Sequence, residues 1–195
     1  QEELDSSLSC ITIAYDPVRS LFAIPNKEFI LITFHPETIN SDENKNYTEI
    51  IFETLNDLCK THHLIITMAN ADTMGSLYRH SSRELKVKNP NNITLIENFG
   101  KYNYFAAMKA SKILLGNTSS AILEASSFGK YGINVGNRQL GRLRSNNVLD
   151  VPYNKTLIIS AVNKVVNQGL YTGINKYYKP NTALNIIKII TKNEL

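Results

Sequence analysis

Phe29-Ile-Leu-Ile-Thr-Phe34 decides how the rest of the chain folds. An unbroken run of apolar and β-branched residues describes a strand buried on both faces, as in a parallel sheet covered by helices. His35 and Pro36 end the run. Ser41 then offers an N-cap, Asp42 and Glu43 fall in a first turn, and Tyr47, Ile51, Leu55 and Leu58 recur at helical spacing. Residues 42–61 are therefore predicted to form an amphipathic helix. Leu64-Ile-Ile-Thr-Met68 repeats the strand pattern, and a polar loop containing Asn70-Ala-Asp72 leads towards another helix.

The alternation continues with a strand at 93–96, a helix at 101–111 and a strand at 112–115 that ends on Gly116. A short helix at 119–128 and a strand at 132–135, ending on Gly136, come next. Residues 148–151 form a last short strand. Leu157, Ile158, Ala161, Val162, Val165 and Val166 line one face of a helix at 155–168, and residues 182–192 form a final amphipathic helix. Strands alternating with helices imply right-handed βαβ units, and so an α/β, Rossmann-like parallel sheet in three layers. Residues 11–28, punctuated by Asp16-Pro17 and Pro25-Asn26, fit either a short hairpin or a linker. The organisation is thus an N-terminal remnant or linker (1–28), a Rossmann-like domain (29–178) and a C-terminal helix (179–195).

Composition sets limits on function. The chain has 195 residues, 43% hydrophobic and 19% charged, enough for one domain with a substantial core. Its apolar runs are far too short to span a bilayer, and Gln1-Glu-Glu-Leu-Asp5 lacks the character of a secretory signal. A cytoplasmic protein that engages no membrane is expected. The two cysteines, Cys10 and Cys59, suggest neither a metal cluster nor a disulfide framework, and either suits a small core position. No metal or cofactor is expected. The formal charge of +4 comes from scattered Lys and Arg without a basic stripe, so nucleic acid is not an expected partner. One local group differs, since Arg138, Arg142 and Arg144 lie close together.

Ligands of parallel α/β sheets bind beyond the carboxyl ends of the strands. His35, Asn70, Asp72, the segment from Asn117 to Ser120, and the segment from Asn137 to Arg142 all fall in such loops. Gly116-Asn-Thr-Ser-Ser120 suits a diphosphate cradle, with a turn at glycine, hydroxyl donors at Ser119 and Ser120, and the start of a helix. The same residues also suit a plain helix cap. It is neither a Walker loop nor a G-x-G-x-x-G turn. Glu124, one turn beyond Ser120, suits either a ribose acceptor or a solvated helix position. His35 fits a neutral donor, a general acid or a strand-end cap. Arg138 and Arg142 fit oxyanion forks or surface ion pairs.

Gly116-Asn-Thr-Ser-Ser-Ala-Ile-Leu-Glu-Ala-Ser-Ser-Phe-Gly129 resembles the G-N-S/T-S-S/C-G-I/V-x-E-x-x-S/A-F-G signature of hydrolysing UDP-N-acetylglucosamine 2-epimerases. Ile133-Asn-Val-Gly-Asn-Arg-Gln-Leu-Gly-Arg142 resembles the I-N-I/L-G-x-R-Q-x-G-R that follows it. Thr33-Phe-His-Pro-Glu-Thr38 and Asn70-Ala-Asp72 resemble the two earlier loops. The R-Q-x-G-R segment, and the absence of His-Arg-Arg-Glu after the first strand, favour the hydrolysing branch. Ala121 departs from the usual Gly, Ser126 from the usual Pro, and Tyr131-Gly132 from the usual x-Pro.

The resemblance implies the second, UDP-holding domain of a two-domain GT-B fold from sialic-acid and related sugar pathways. Ser119 and Ser120 would hold the diphosphate and Glu124 the ribose, with His35 and Arg138 near the phosphates and Phe99 beside the uracil. Asn70, Asp72, Asn117 and Arg142 complete the expected substrate-binding set. UDP would leave as the C2 proton is lost, giving a 2-acetamidoglucal that water converts to N-acetylmannosamine. His35 is expected on the leaving-group side, and the main carboxylates in a missing N-terminal domain. The chain alone is expected to bind UDP and UDP-sugar and to turn over nothing. The sugar (N-acetylglucosamine or diacetylbacillosamine), the base (UDP or GDP) and homo-oligomerisation of the parent protein stay open. Two other readings remain: the donor-binding domain of a GT-B glycosyltransferase, and a non-catalytic nucleotide-sugar binding module.

Overall fold

The computed structural model describes residues 15–37, 41–69 and 75–192. Six parallel strands form one sheet in the order β3-β2-β1-β4-β5-β6. They are β1 (Phe29–Thr33), β2 (His63–Thr67), β3 (Ile93–Ile96), β4 (Leu114–Gly116), β5 (Gly132–Val135) and β6 (Val148–Val151). The order reverses between β1 and β4, which is the Rossmann topology with its switch point at that crevice. Register places Thr67, Thr33, Gly116, Asn134 and Asp150 in one row across the carboxyl end of the sheet. Apolar strand bodies therefore finish in a polar rim.

Alternation along β1 feeds two cores. Ile30 and Ile32 pack with α2 (Asn44–Leu58), α3 (Gly75–Lys88) and α6 (Lys155–Val165) through Ile51, Leu55, Leu85, Ile158 and Val162. Phe29 and Leu31 pack on the opposite face with α1 (Tyr15–Leu21) and α4 (Gly100–Ala110), through Val18, Phe105 and Met108. Burying one such side chain contributes about 1.5–3 kcal/mol, so β1, enclosed on both faces, is a large source of the domain's stability. Ala121 of α5 (Ser120–Leu123) and Phe128 of the following 3-10 turn (Ala125–Phe128) complete the second layer. The last helix, α7 (Thr182–Lys192), leaves Leu184, Ile187 and Ile190 exposed.

Several sequence expectations need correction. Residues 11–28, expected as a hairpin or linker, contain the helix α1, whose Val18 is buried against the α4 layer. The helix predicted from residue 42 begins at Asn44, behind a 3-10 turn at Ser41–Glu43. Asn44 is occupied elsewhere: its side chain exchanges two 2.8 Å hydrogen bonds with the Glu37 backbone. The helix predicted over 119–128 divides into one α turn and one 3-10 turn, closed by left-handed Gly129. Leu157, assigned to the inner face of α6, is 48% exposed. Cys59 is a fully buried core residue as expected, whereas Cys10 lies outside the described residues. No described helix is long and apolar enough to cross a membrane.

Candidate functional site

A cavity of about 720 Å³ opens over the carboxyl ends of β1, β2, β3 and β4, against α4. Its walls include Thr33, His35, Thr67, Phe99, Tyr104, Thr118, Ser120 and Glu124. A second groove of about 460 Å³ lies between α2 and α3. Lys45, Glu49, Glu84 and Lys88 line it with both signs of charge, and no strand-end loop reaches it. The strand-end cavity is the candidate site by position and by chemistry.

Gly116 brings the two switch-point loops together. At φ +157° its backbone passes so close to β1 that an added Cβ would stand 1.8 Å from the Thr33 carbonyl oxygen. Asn117, 0% exposed, then locks the crevice. Its Oδ1 accepts the His35 N–H at 2.8 Å, and its Nδ2 donates to the His35 carbonyl at 2.7 Å and to the Tyr153 hydroxyl at 3.3 Å. Asn117 therefore sets the backbone on which the His35 side chain enters the cavity. Its own amide is committed beneath the floor.

Hydroxyls form that floor. Thr67 Oγ1 and Thr33 Oγ1 are 2.8 Å apart, Thr33 Oγ1 and Tyr104 Oη 3.4 Å, Tyr104 Oη and Ser120 Oγ 2.8 Å, and Ser120 Oγ and Thr118 Oγ1 3.2 Å. Burial pushes the Tyr104 phenol up, so it stays a donor. Ser119 makes no side-chain cap bond to α5, and Thr118 Oγ1 lies 3.5 Å from the Ser120 N–H. With a helix of only four residues, the macrodipole is a small term, and the hydroxyls carry the donor character.

Glu124 is half-buried on the same wall, with Oε2 enclosed and without a hydrogen-bond partner. Burial raises its pKa, opposed by a hydrogen bond from its own backbone and by the charge of Arg142. Phe99 lines the cavity but is only 4% exposed, edge-on to Phe22 at 4.8 Å between centroids. Arg138 and Arg142 are exposed and do not line the cavity; Arg138 Nη1 donates to the Asn117 carbonyl at 3.3 Å. Asn70 and Asp72 lie outside the described residues.

The cavity thus gathers His35, Phe99, Ser120 and Glu124, with Ser119 beside them, Asn117 below and the two arginines outside. Sequence reasoning missed Tyr104 and Glu37. Glu37 is 4% exposed, and its Oε1 accepts the Asn137 N–H at 3.1 Å and the Tyr153 hydroxyl at 2.9 Å. Tyr153 in turn stacks on Tyr47 at 3.9 Å, and burial pushes its phenol far up. Ala121, which departs from a glycine position, is helical and takes no positive φ. A Cβ added at Gly132 would come within 3.1 Å of the Ala121 methyl, so the two departures from the family pattern fit each other.

The family model for UDP-N-acetylglucosamine 2-epimerases matches residues 3–191. A GDP/UDP-N,N'-diacetylbacillosamine 2-epimerase (hydrolysing) from Campylobacter jejuni is 38% identical over 129 residues, which are 66% of this chain and 33% of that protein. A UDP-N,N'-diacetylbacillosamine 2-epimerase (hydrolysing) from Legionella pneumophila is 30% identical over 144 residues, 74% of this chain and 37% of that protein. Among solved structures, the Methanocaldococcus jannaschii UDP-GlcNAc 2-epimerase in complex with UDP-GlcNAc and UDP aligns with TM-score 0.72 at 20% identity. That alignment covers 97% of this chain and 52% of the other. The chain spans less than half the length of these curated relatives.

Proposed function

The chain belongs to the UDP-N-acetylglucosamine 2-epimerase family, and on that premise we propose that it is the nucleotide-holding half of a hydrolysing UDP-sugar 2-epimerase. Glu124 carries the proposal, as an enclosed carboxylate oxygen without a donor on the wall of a hydroxyl-floored cavity. Leaving such an acceptor unmet costs about 1–3 kcal/mol, and the two neighbouring hydroxyls of a ribose meet it. With ribose at Glu124, the diphosphate runs over Thr118, Ser119 and Ser120 towards His35. The base lies on the Phe99 side, where the ring is already packed against Phe22 and only 4% exposed. Arg138, with Nη1 on the Asn117 carbonyl, and Arg142 would both have to turn inward to reach the phosphates from outside the cavity.

In this role the chain stabilises a leaving group. The sugar C1–O bond breaks with its electron pair passing to the diphosphate, and oriented donors act most strongly where that charge develops. The C2 proton goes to a base on a second domain of the whole protein, and water adds to the resulting glucal to release the C2-epimeric sugar. The substrate class we propose is a UDP-linked acetamido sugar, since both curated names include UDP and one of them prints GDP beside it.

Calorimetric titration with UDP, GDP and UDP-N-acetylglucosamine tests the proposal. UDP is expected to bind, and Glu124→Ala to weaken it by about 1.5–3 kcal/mol, the worth of a hydrogen bond to a charged group. Unchanged affinity would remove the ribose assignment. Release of N-acetylmannosamine by the chain alone would overturn the division of labour between two domains.

A further inference from the structure

Tyr104 lies outside every quoted motif, yet the hydroxyl floor turns on it. Each hydroxyl of that floor has one proton to give, and the O–O distances rank its acceptors. Thr67 Oγ1 lies 2.8 Å from Thr33 Oγ1 and 3.3 Å from the Ile32 carbonyl oxygen, so Thr67 closes that end of the floor whichever hydroxyl donates. The single Tyr104 proton then has two acceptors, Thr33 Oγ1 at 3.4 Å and Ser120 Oγ at 2.8 Å. Hydroxyl hydrogen bonds centre near 2.7–2.8 Å, roughly the shorter of these distances.

We infer that Tyr104 is a positioning residue for Ser120: it donates to Ser120 Oγ and thereby turns the serine's own proton towards a phosphate oxygen in the cavity. This rests on the nucleotide site proposed above. In the absence of phosphate, the Ser120 proton has Thr118 Oγ1 at a long 3.2 Å. A phosphate oxygen displaces that contact, because a charge-assisted bond is roughly twice as strong as a neutral one. Burial keeps the phenol protonated, so the donor persists through the neutral range. The ring packs near Phe99 independently of the hydroxyl, so Tyr104→Phe removes the hydrogen bonds and leaves the packing.

Affinities for UDP and for uridine are measured on the wild type, Tyr104→Phe, Ser120→Ala and the double variant, with thermal unfolding to check each fold. Tyr104→Phe is expected to weaken UDP about fivefold to tenfold and to leave uridine unchanged. In the Ser120→Ala background it is expected to have no further effect. Equal losses for uridine and UDP, or full additivity in the double variant, would overturn the positioning role. UDP binding that depends on Glu124 but ignores Tyr104→Phe would sink this inference alone. A wild type that binds no UDP would sink the nucleotide site and the inference together.

Discussion

The loops leaving β4 and β5 are both rich in donors, and they commit them in opposite directions. After β5, Arg138 Nη1 and Gln139 Nε2 donate to the Asn117 carbonyl, while Arg144 holds Asp150 at 2.7 Å and the Gln139 carbonyl at 3.0 Å. Glu37 takes the Asn137 N–H. After β4, Thr118, Ser120 and Glu124 face the cavity, with one Glu124 oxygen unmet. Much of the arginine loop is thus a brace behind the crevice, and the serine loop is the face that lines the cavity. A donor's type says less about binding than whether the fold has already used it.

The largest expected effect comes from breaking the place where the two meet. Gly116→Ala would drive a methyl against the Thr33 carbonyl and is expected to cost at least about 3 kcal/mol in urea unfolding. A loss below about 0.5 kcal/mol, the ordinary surface value, would deny the close approach. Next, Asn117→Ala strips both backbone bonds from His35; about 2–4 kcal/mol of stability should go, because two partly buried backbone groups lose their partners. If the loss stays near that of an exposed substitution, the lock is not structural.

The limits of the sequence follow the same division. The strand alternation from Phe29 to Val151 shows in local apolar patterning, and the serine loop shows in contiguous residues. Neither Tyr104 nor Glu37 shows that way. Tyr104 meets Thr33 across 71 residues, and Glu37 meets Tyr153 across 116, contacts that only the strand order creates. Before folding, each is one polar position in a helix or loop. The arginines were visible as a cluster, but the sequence carries no sign that Arg138 and Arg144 bond to backbone and Asp150. Helix α1 was obscured by Pro17 and Pro25, although its first-turn proline is compatible with a helix start.

A smaller effect separates binding from stability at Glu124. Burial raises its folded pKa, so the native state binds more protons than the unfolded chain in the window above the ordinary carboxylate range. Its stabilising contribution is complete below that range and is lost as pH rises through the raised value. Glu124→Gln should therefore stabilise the nucleotide-free protein by about 1 kcal/mol at neutral pH. The gain should vanish in acid, and UDP binding should weaken. A stability difference that ignores pH would contradict the enclosed carboxylate. Smallest is Arg142→Ala, an exposed change expected to move stability by less than about 0.5 kcal/mol. It should raise the Glu124 pKa further and weaken UDP in a salt-dependent way, and losses that persist at high salt would place Arg142 in direct, desolvated contact.

Amide NMR during UDP titration asks whether the serine-loop side of the crevice is where the proposed nucleotide binds. Shifts are expected at the strand ends and around Tyr104, Ser120 and Glu124, with the groove between α2 and α3 silent. Shifts centred on Lys45, Glu49, Glu84 and Lys88, or none with UDP in excess, would contradict that placement.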